Sequence, residues 1–159
     1  MRIATWNINS IRARADRAVA FLERADVDVL ALQETKCKPE QFPFEAFQAL
    51  GYEVAAWGLN QWNGVAIASR VGLEDVREGF NGQPGFAKDG EPVVEARALG
   101  ARCGGVDVWS LYVPHWRALD DPHYAYKLEW LERLRLDAVG WLEVDPTAQV
   151  ALVGDWNVA

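Results

Sequence analysis

Residues 1–34 read MRIATWNINSIRARADRAVAFLERADVDVLALQE, and this stretch decides the fold. Met1 to Asn9 has the composition of a strand and closes on two carboxamides, Asn7 and Asn9, two positions apart. Side chains so spaced in extended backbone point the same way. Ile11 to Arg24 follows with Ala15, Val19 and Leu22 at helical spacing, and Val27 to Gln33 is a nearly continuous apolar run suited to a buried strand that delivers Glu34. Strand, helix and strand in this order make a βαβ unit, whose right-handed crossover puts both strand ends on one edge. Asn7 and Glu34 are therefore expected to meet.

The last residues repeat the pattern. Val150 to Val153 form an apolar strand, and Gly154-Asp155-Trp156-Asn157-Val158-Ala159 places a carboxylate and a carboxamide two apart at its mouth. Carboxylates beside carboxamides are hard oxygen donors suited to Mg²⁺, which takes one or two protein carboxylates and is completed by water and phosphate. Read singly, each piece is as readily structural: Asn7 can cap the following helix, Glu34 can open a loop, and Asp155 and Asn157 can make a turn.

Five strings in order shift that balance: Thr5-Trp6-Asn7-Ile8-Asn9-Ser10-Ile11-Arg12, Leu32-Gln33-Glu34-Thr35-Lys36, Asn63-Gly64-Val65-Ala66-Ile67, Leu111-Tyr112-Val113-Pro114 and Gly154-Asp155-Trp156-Asn157. With them the chain resembles the exonuclease III and abasic-site (AP) endonuclease family of the endonuclease/exonuclease/phosphatase superfamily, from its first residue to its last. The Gln-Glu-Thr-Lys string is the most specific to the abasic-site branch. The resemblance implies a four-layer α/β/β/α sandwich with the site at one end. It implies that Asn7, Glu34, Asp155 and Asn157 surround Mg²⁺, or Mn²⁺ in its place, with Glu34 the main ligand and Asn9 in support. Tyr112 would bond the scissile phosphate, Asp155 would orient and deprotonate the attacking water, and Asn157 would hold a phosphate oxygen. The implied substrate is double-stranded DNA with abasic sites or 3′ ends.

Two departures accompany the resemblance. The family has a later Asp and a C-terminal Ser-Asp-His string, which these residues lack; the expectation is a single, C-terminally truncated nuclease domain over 1–159, inactive alone, with a bare apolar face awaiting a missing half or partner chain. After Pro114 the family has Asn or Gln and then a small residue, where this chain has His115, Trp116 and Arg117. His115 can donate to phosphate, Trp116 can stack on a base or pack on its own protein, and Arg117 can clamp phosphate or remain solvated.

The net charge of −7 runs against a DNA enzyme, whose phosphate contacts rest on Lys and Arg. Arg12, Arg14, Lys36, Lys38 and Arg117 lie in segments near the strand mouths and are expected to form a basic rim. No apolar stretch reaches membrane-spanning length and no leader pattern opens the chain, which places the protein in the cytoplasm without a membrane partner. Cys37 and Cys103 carry no metal-ligand spacing and read as reduced thiols. Between the motifs, Asn81 to Gly90 is a loop, and Val93 to Ala101 and Val106 to Val113 flank Gly104-Gly105 as a hairpin. Glu95 and Arg97 are structural. Pro122 to Val139 is a helix capped by Asp120 or Asp121, burying Trp130, Leu131 and Leu134 and closing near Gly140. Trp6 and Trp109 are assigned to the core, and Trp62, beside Asn63-Gly64, to neither core nor chemistry.

Overall fold

The computed structural model describes residues 1–87 and 89–158; Lys88, within the expected Asn81–Gly90 loop, and Ala159, at the end of the final motif, lie outside them. The expected βαβ unit is present. Strand β1 (Ile3–Asn7), helix α1 (Ile11–Ala25) and strand β2 (Val29–Gln33) fold so that β1 and β2 pair in parallel, with Asn7 opposite Gln33. Strands β3 (Glu53–Trp57) and β4 (Val65–Ser69) complete a sheet in the order β1-β2-β4-β3. A second sheet, β5-β6-β7-β8, comprises Glu74–Glu78, Ala98–Cys103, Val106–Tyr112 and Val150–Asp155.

Alternating side chains sort into three apolar layers. On β2 and β4, Leu30, Leu32, Ala66 and Ala68 face α1 and the short helix α2 (Phe44–Gln48). Val29, Val65 and Ile67 face the other way, onto Leu99, Ala101, Cys103 and Val108 of the second sheet. The outer face of that sheet, with Trp109 and Leu111, lies under Tyr126, Trp130 and Leu134 of helix α3 (Pro122–Val144). Period-two burial on strands with a cover on each outer face is the four-layer α/β/β/α sandwich.

Several local expectations shift. The helix after β1 is capped by Ser10, which accepts from the Ala13 N–H at 3.3 Å, and not by Asn7. Its buried stripe is Ile11, Ala18 and Leu22, with Ala15 and Val19 half-buried at its flank. The hairpin's first strand begins at Ala98, because Val93 pairs across the preceding loop with Phe86 instead. Asp121 caps α3 as expected, but the helix runs through Gly140 to Val144. Trp141 holds that extra turn by stacking on Trp109 at 5.2 Å and 4°. Trp6 is only half-buried, edge-on to Phe21 at 6.1 Å, on a strand at the end of its sheet. Strands β3 and β5 and helix α2 are additional to the elements expected from the sequence. Cys37 and Cys103 are buried, unbridged and in different layers.

Candidate active site at the mouth of the two sheets

Behind the site, a buried polar network ties the sheets together. Gln33 donates to Thr5 Oγ1 and to Ser110 Oγ, both at 3.0 Å, and Ser110 donates to the Leu32 carbonyl at 2.8 Å. Buried polar groups in such networks specify one packing, because any unpaired member is costly. Gln33 is thereby fixed immediately before Glu34.

At the mouth, β1, β7 and β8 end on Asn7, Tyr112 and Asp155, and Glu34 follows the last residue of β2. The Asn7 amide donates to Glu34 Oε1 at 3.0 Å and to Asp155 Oδ2 at 2.9 Å. One nitrogen atom thus touches both carboxylates. Burial raises the Glu34 carboxyl, but hydrogen bonds from Asn7, Tyr112 and Lys36, with the Lys36 charge, outweigh it and hold the group below its ordinary value. Tyr112 goes the other way: burial first, then its hydrogen bond and charge interaction with Glu34, push the phenol far above its ordinary range. It is a donor at any physiological pH.

Asn9 sits to one side, its Oδ1 accepting from Lys36 Nζ at 2.6 Å and its carbonyl from Arg14. Lys36 also pairs with Glu34 at 3.3 Å, and Arg12 donates to the Lys36 carbonyl at 3.2 Å. Three of the five expected rim cations therefore gather here. Asn157 is turned toward the second sheet: its amide donates to the Val113 carbonyl at 2.7 Å, and its backbone N–H to Asp155 Oδ1 at 3.1 Å. Five non-glycine residues at this mouth, Asn9, Ser10, Glu34, Lys36 and Asn157, have positive φ. Left-handed backbone of this kind costs on the order of 1–3 kcal/mol per residue and persists where the surroundings over-determine it.

His115, Trp116 and Arg117 lie outside that constellation. His115 and Arg117 are exposed, and Trp116 packs edge-on against Tyr124 at 5.1 Å, the own-protein alternative for that residue. Lys127, absent from the expected site residues, is buried on α3 and donates to the Asn157 carbonyl. Burial lowers its ammonium while the Asp155 charge opposes that shift. A lysine on the buried stripe of an amphipathic helix was the available signal. Glu95 and Arg97 are joined at 2.9 Å, and the guanidinium lies 4.7 Å over the Tyr112 ring.

The donor set fits a hard cation. Among the described residues no group of three or more His, Cys, Asp or Glu gathers. An ion held here would rest on two carboxylates, the Asn7 carboxamide, water and a phosphate, which is the coordination habit of Mg²⁺.

The endonuclease/exonuclease/phosphatase family model matches residues 4–159. The chain belongs to that family. Among its relatives, exodeoxyribonuclease III of Haemophilus influenzae is 29% identical over the whole chain. Of solved structures, an AP endonuclease from Archaeoglobus fulgidus is 38% identical with a TM-score of 0.83. A 3′ phosphatase from Neisseria bound to a product DNA hairpin is 32% identical with a TM-score of 0.87. All of this chain is covered in each match, and it spans 58% of each of those family members' own length.

Proposed function

We propose that these residues carry the phosphodiester-hydrolysing site of an exodeoxyribonuclease III-type DNA-repair enzyme, acting on duplex DNA at abasic sites or 3′ ends. The observation that carries this reading is the Asn7 amide shared between Glu34 and Asp155 at 3.0 and 2.9 Å. Family membership and the DNA-acting names of the relatives support it.

A phosphodiester is an anion and repels nucleophiles, so hydrolysis needs charge neutralisation, an aligned water and help for the leaving oxygen. Bound Mg²⁺ would supply the neutralisation, held by Glu34, Asp155 and the Asn7 carboxamide. Asp155 orients the attacking water and accepts its proton: Oδ2 accepts one hydrogen bond from Asn7 and Oδ1 one from the Asn157 N–H, and each oxygen keeps a second lone pair. With substrate bound, Tyr112 would turn its single phenol hydrogen from Glu34 to a phosphate oxygen, and its raised pKa keeps that hydrogen in place. Asn157 contributes a second polar contact on the same side, and Asn9, with Lys36 and Arg12, meets the backbone of the strand.

No described helix is long and apolar enough to cross a membrane; we place the protein in the cytoplasm. A second reading is a DNA-binding chain without turnover. It is favoured by one observation: neither histidine, among the described residues, hydrogen-bonds Glu34 or Asp155, and His123 is bonded to Asp121. Incision of an abasic duplex, with and without Mg²⁺ and with Glu34→Gln, separates the two. Metal-dependent cleavage lost in the variant supports the enzyme; salt-sensitive binding with no product in any condition supports the binder.

A further inference from the structure

Beside Tyr112 opens a cleft of about 550 Å³ whose walls include Trp62, Phe86, Arg97, His115, Arg117 and His123. One wall is an aromatic layer. His123 lies 4.2 Å from Phe86 at 32°, and Tyr126 packs on Phe86 at 5.0 Å and 30° while meeting His123 edge-on at 6.4 Å and 62°.

Trp62 lines the same cleft and is 71% exposed. Its backbone is not loose: Trp62 N–H donates to Asn60 Oδ1 at 2.9 Å, and the buried Asn63 that follows accepts from the Lys36 N–H at 2.8 Å and donates to Glu95 at 3.3 Å. The indole is therefore displayed from a turn tied to the Glu34 loop on one side and to the cleft floor on the other. Core packing does not account for a tryptophan in that position.

The charges of the cleft point to an anion. Glu95 is committed to Arg97, Tyr126 and Asn63. Asp121 is committed to the His123 N–H at 2.9 Å and the Arg117 N–H at 3.4 Å. Glu95 is thereby paired with a cation, while Asp121 keeps its charge, and the exposed His115 and Arg117 side chains are the donors left at the rim. An exposed indole and an aromatic cluster lining one cleft with an arginine match a nucleobase with its phosphate.

We propose that this cleft receives the base of an unpaired nucleotide whose phosphate lies at Tyr112, so that strand ends and single-stranded segments are bound by stacking on Trp62. The inference rests on the phosphodiester reading of the adjoining site. A base inside a duplex has both faces covered by its neighbours and cannot enter.

The test is fluorescence anisotropy of a labelled trithymidylate, and of the same strand with a base-free sugar at one end, titrated with the protein in EDTA. The base-bearing ligand is expected to bind about tenfold more tightly, an advantage that Trp62→Ala removes and Trp62→Phe largely keeps. Arg117→Ala is expected to weaken both ligands and reduce the salt slope by about one. Circular dichroism confirms that each variant is folded. Equal affinity of the native protein for the two ligands, an equal loss on both with Trp62→Ala, or no binding of either would overturn the proposal. Absence of metal-dependent cleavage with the base preference intact would defeat only the enzymatic reading.

Discussion

Asn7 and Asp155 lie 148 positions apart and are joined by one hydrogen bond of 2.9 Å from the amide of the first to the carboxylate of the second. Their strands, β1 and β8, sit at the ends of different sheets, so this contact closes the sandwich at its mouth. The same amide reaches Glu34, and it separates two negative charges that would otherwise face each other.

Asn7→Ala removes the shared donor from both carboxylates. In metal-free buffer it is expected to destabilise the protein by about 1–3 kcal/mol. Millimolar Mg²⁺ should recover part of the loss in the variant, because a ligand bound only by the folded state stabilises it. Thermal unfolding of both proteins with and without the ion checks this; a variant as stable as the native protein without metal would sink the bridging role.

Two glycines make opposite predictions. A Cβ on Gly154, at φ +148°, would overlap the Leu111 carbonyl of the neighbouring strand, whereas a Cβ on Gly140 meets nothing within 4 Å. Gly154→Ala should cost about 1–3 kcal/mol by overpacking and displace Asp155. Gly140→Ala, within α3, should stabilise by about 0.5–1 kcal/mol. Denaturant unfolding of the two variants is the measurement, and the same sign for both would contradict the packing described.

Glu34 sets an acid limit. Its folded pKa lies below the ordinary 4.5. The folded state therefore binds fewer protons than the unfolded chain in that region, so the contribution is present above the ordinary value and is lost as pH falls through the folded one. Melting temperatures of native protein and Glu34→Gln, followed from pH 7 downward, should converge in that window. A gap that stays constant would remove the linkage.

Tyr112→Phe should leave the fold intact while lowering the proposed phosphodiesterase activity by about 100- to 1,000-fold, the scale on which one donor to a developing charge acts. In the native protein the raised pKa keeps this phenol un-ionised at its ordinary value of 10.0. Ultraviolet difference titration should accordingly lose amplitude only late in the titration in the variant, and loss of an early component instead would show that burial and Glu34 do not hold this phenol un-ionised.

Much was legible because periodicity is local. The apolar run before Glu34 predicted a strand buried on both faces, and all five residues of β2 are. The helix between them required a parallel pair, which placed Asn7 and Glu34 on one edge. The helix stop at Gly140 failed for a non-local reason. A glycine weakens a helix by little, and Trp141 stacked on Trp109 from another layer outweighs it. Trp6 was misplaced because strand composition does not say whether a strand ends its sheet.

The sequence by itself determined the strands, the crossover and which residue types stand at their mouths, since hydrophobic spacing and chirality act over a few dozen residues. Only the tertiary structure decided that β8 brings Asp155 within hydrogen-bond reach of Asn7, that Ser110 of the second sheet completes Gln33, and that Arg97 lies over the Tyr112 ring. Those relations depend on how two sheets align face to face. That alignment is fixed by the fit of interdigitating side chains and by the pairing of buried polar groups, quantities that exist only once distant segments have been brought together.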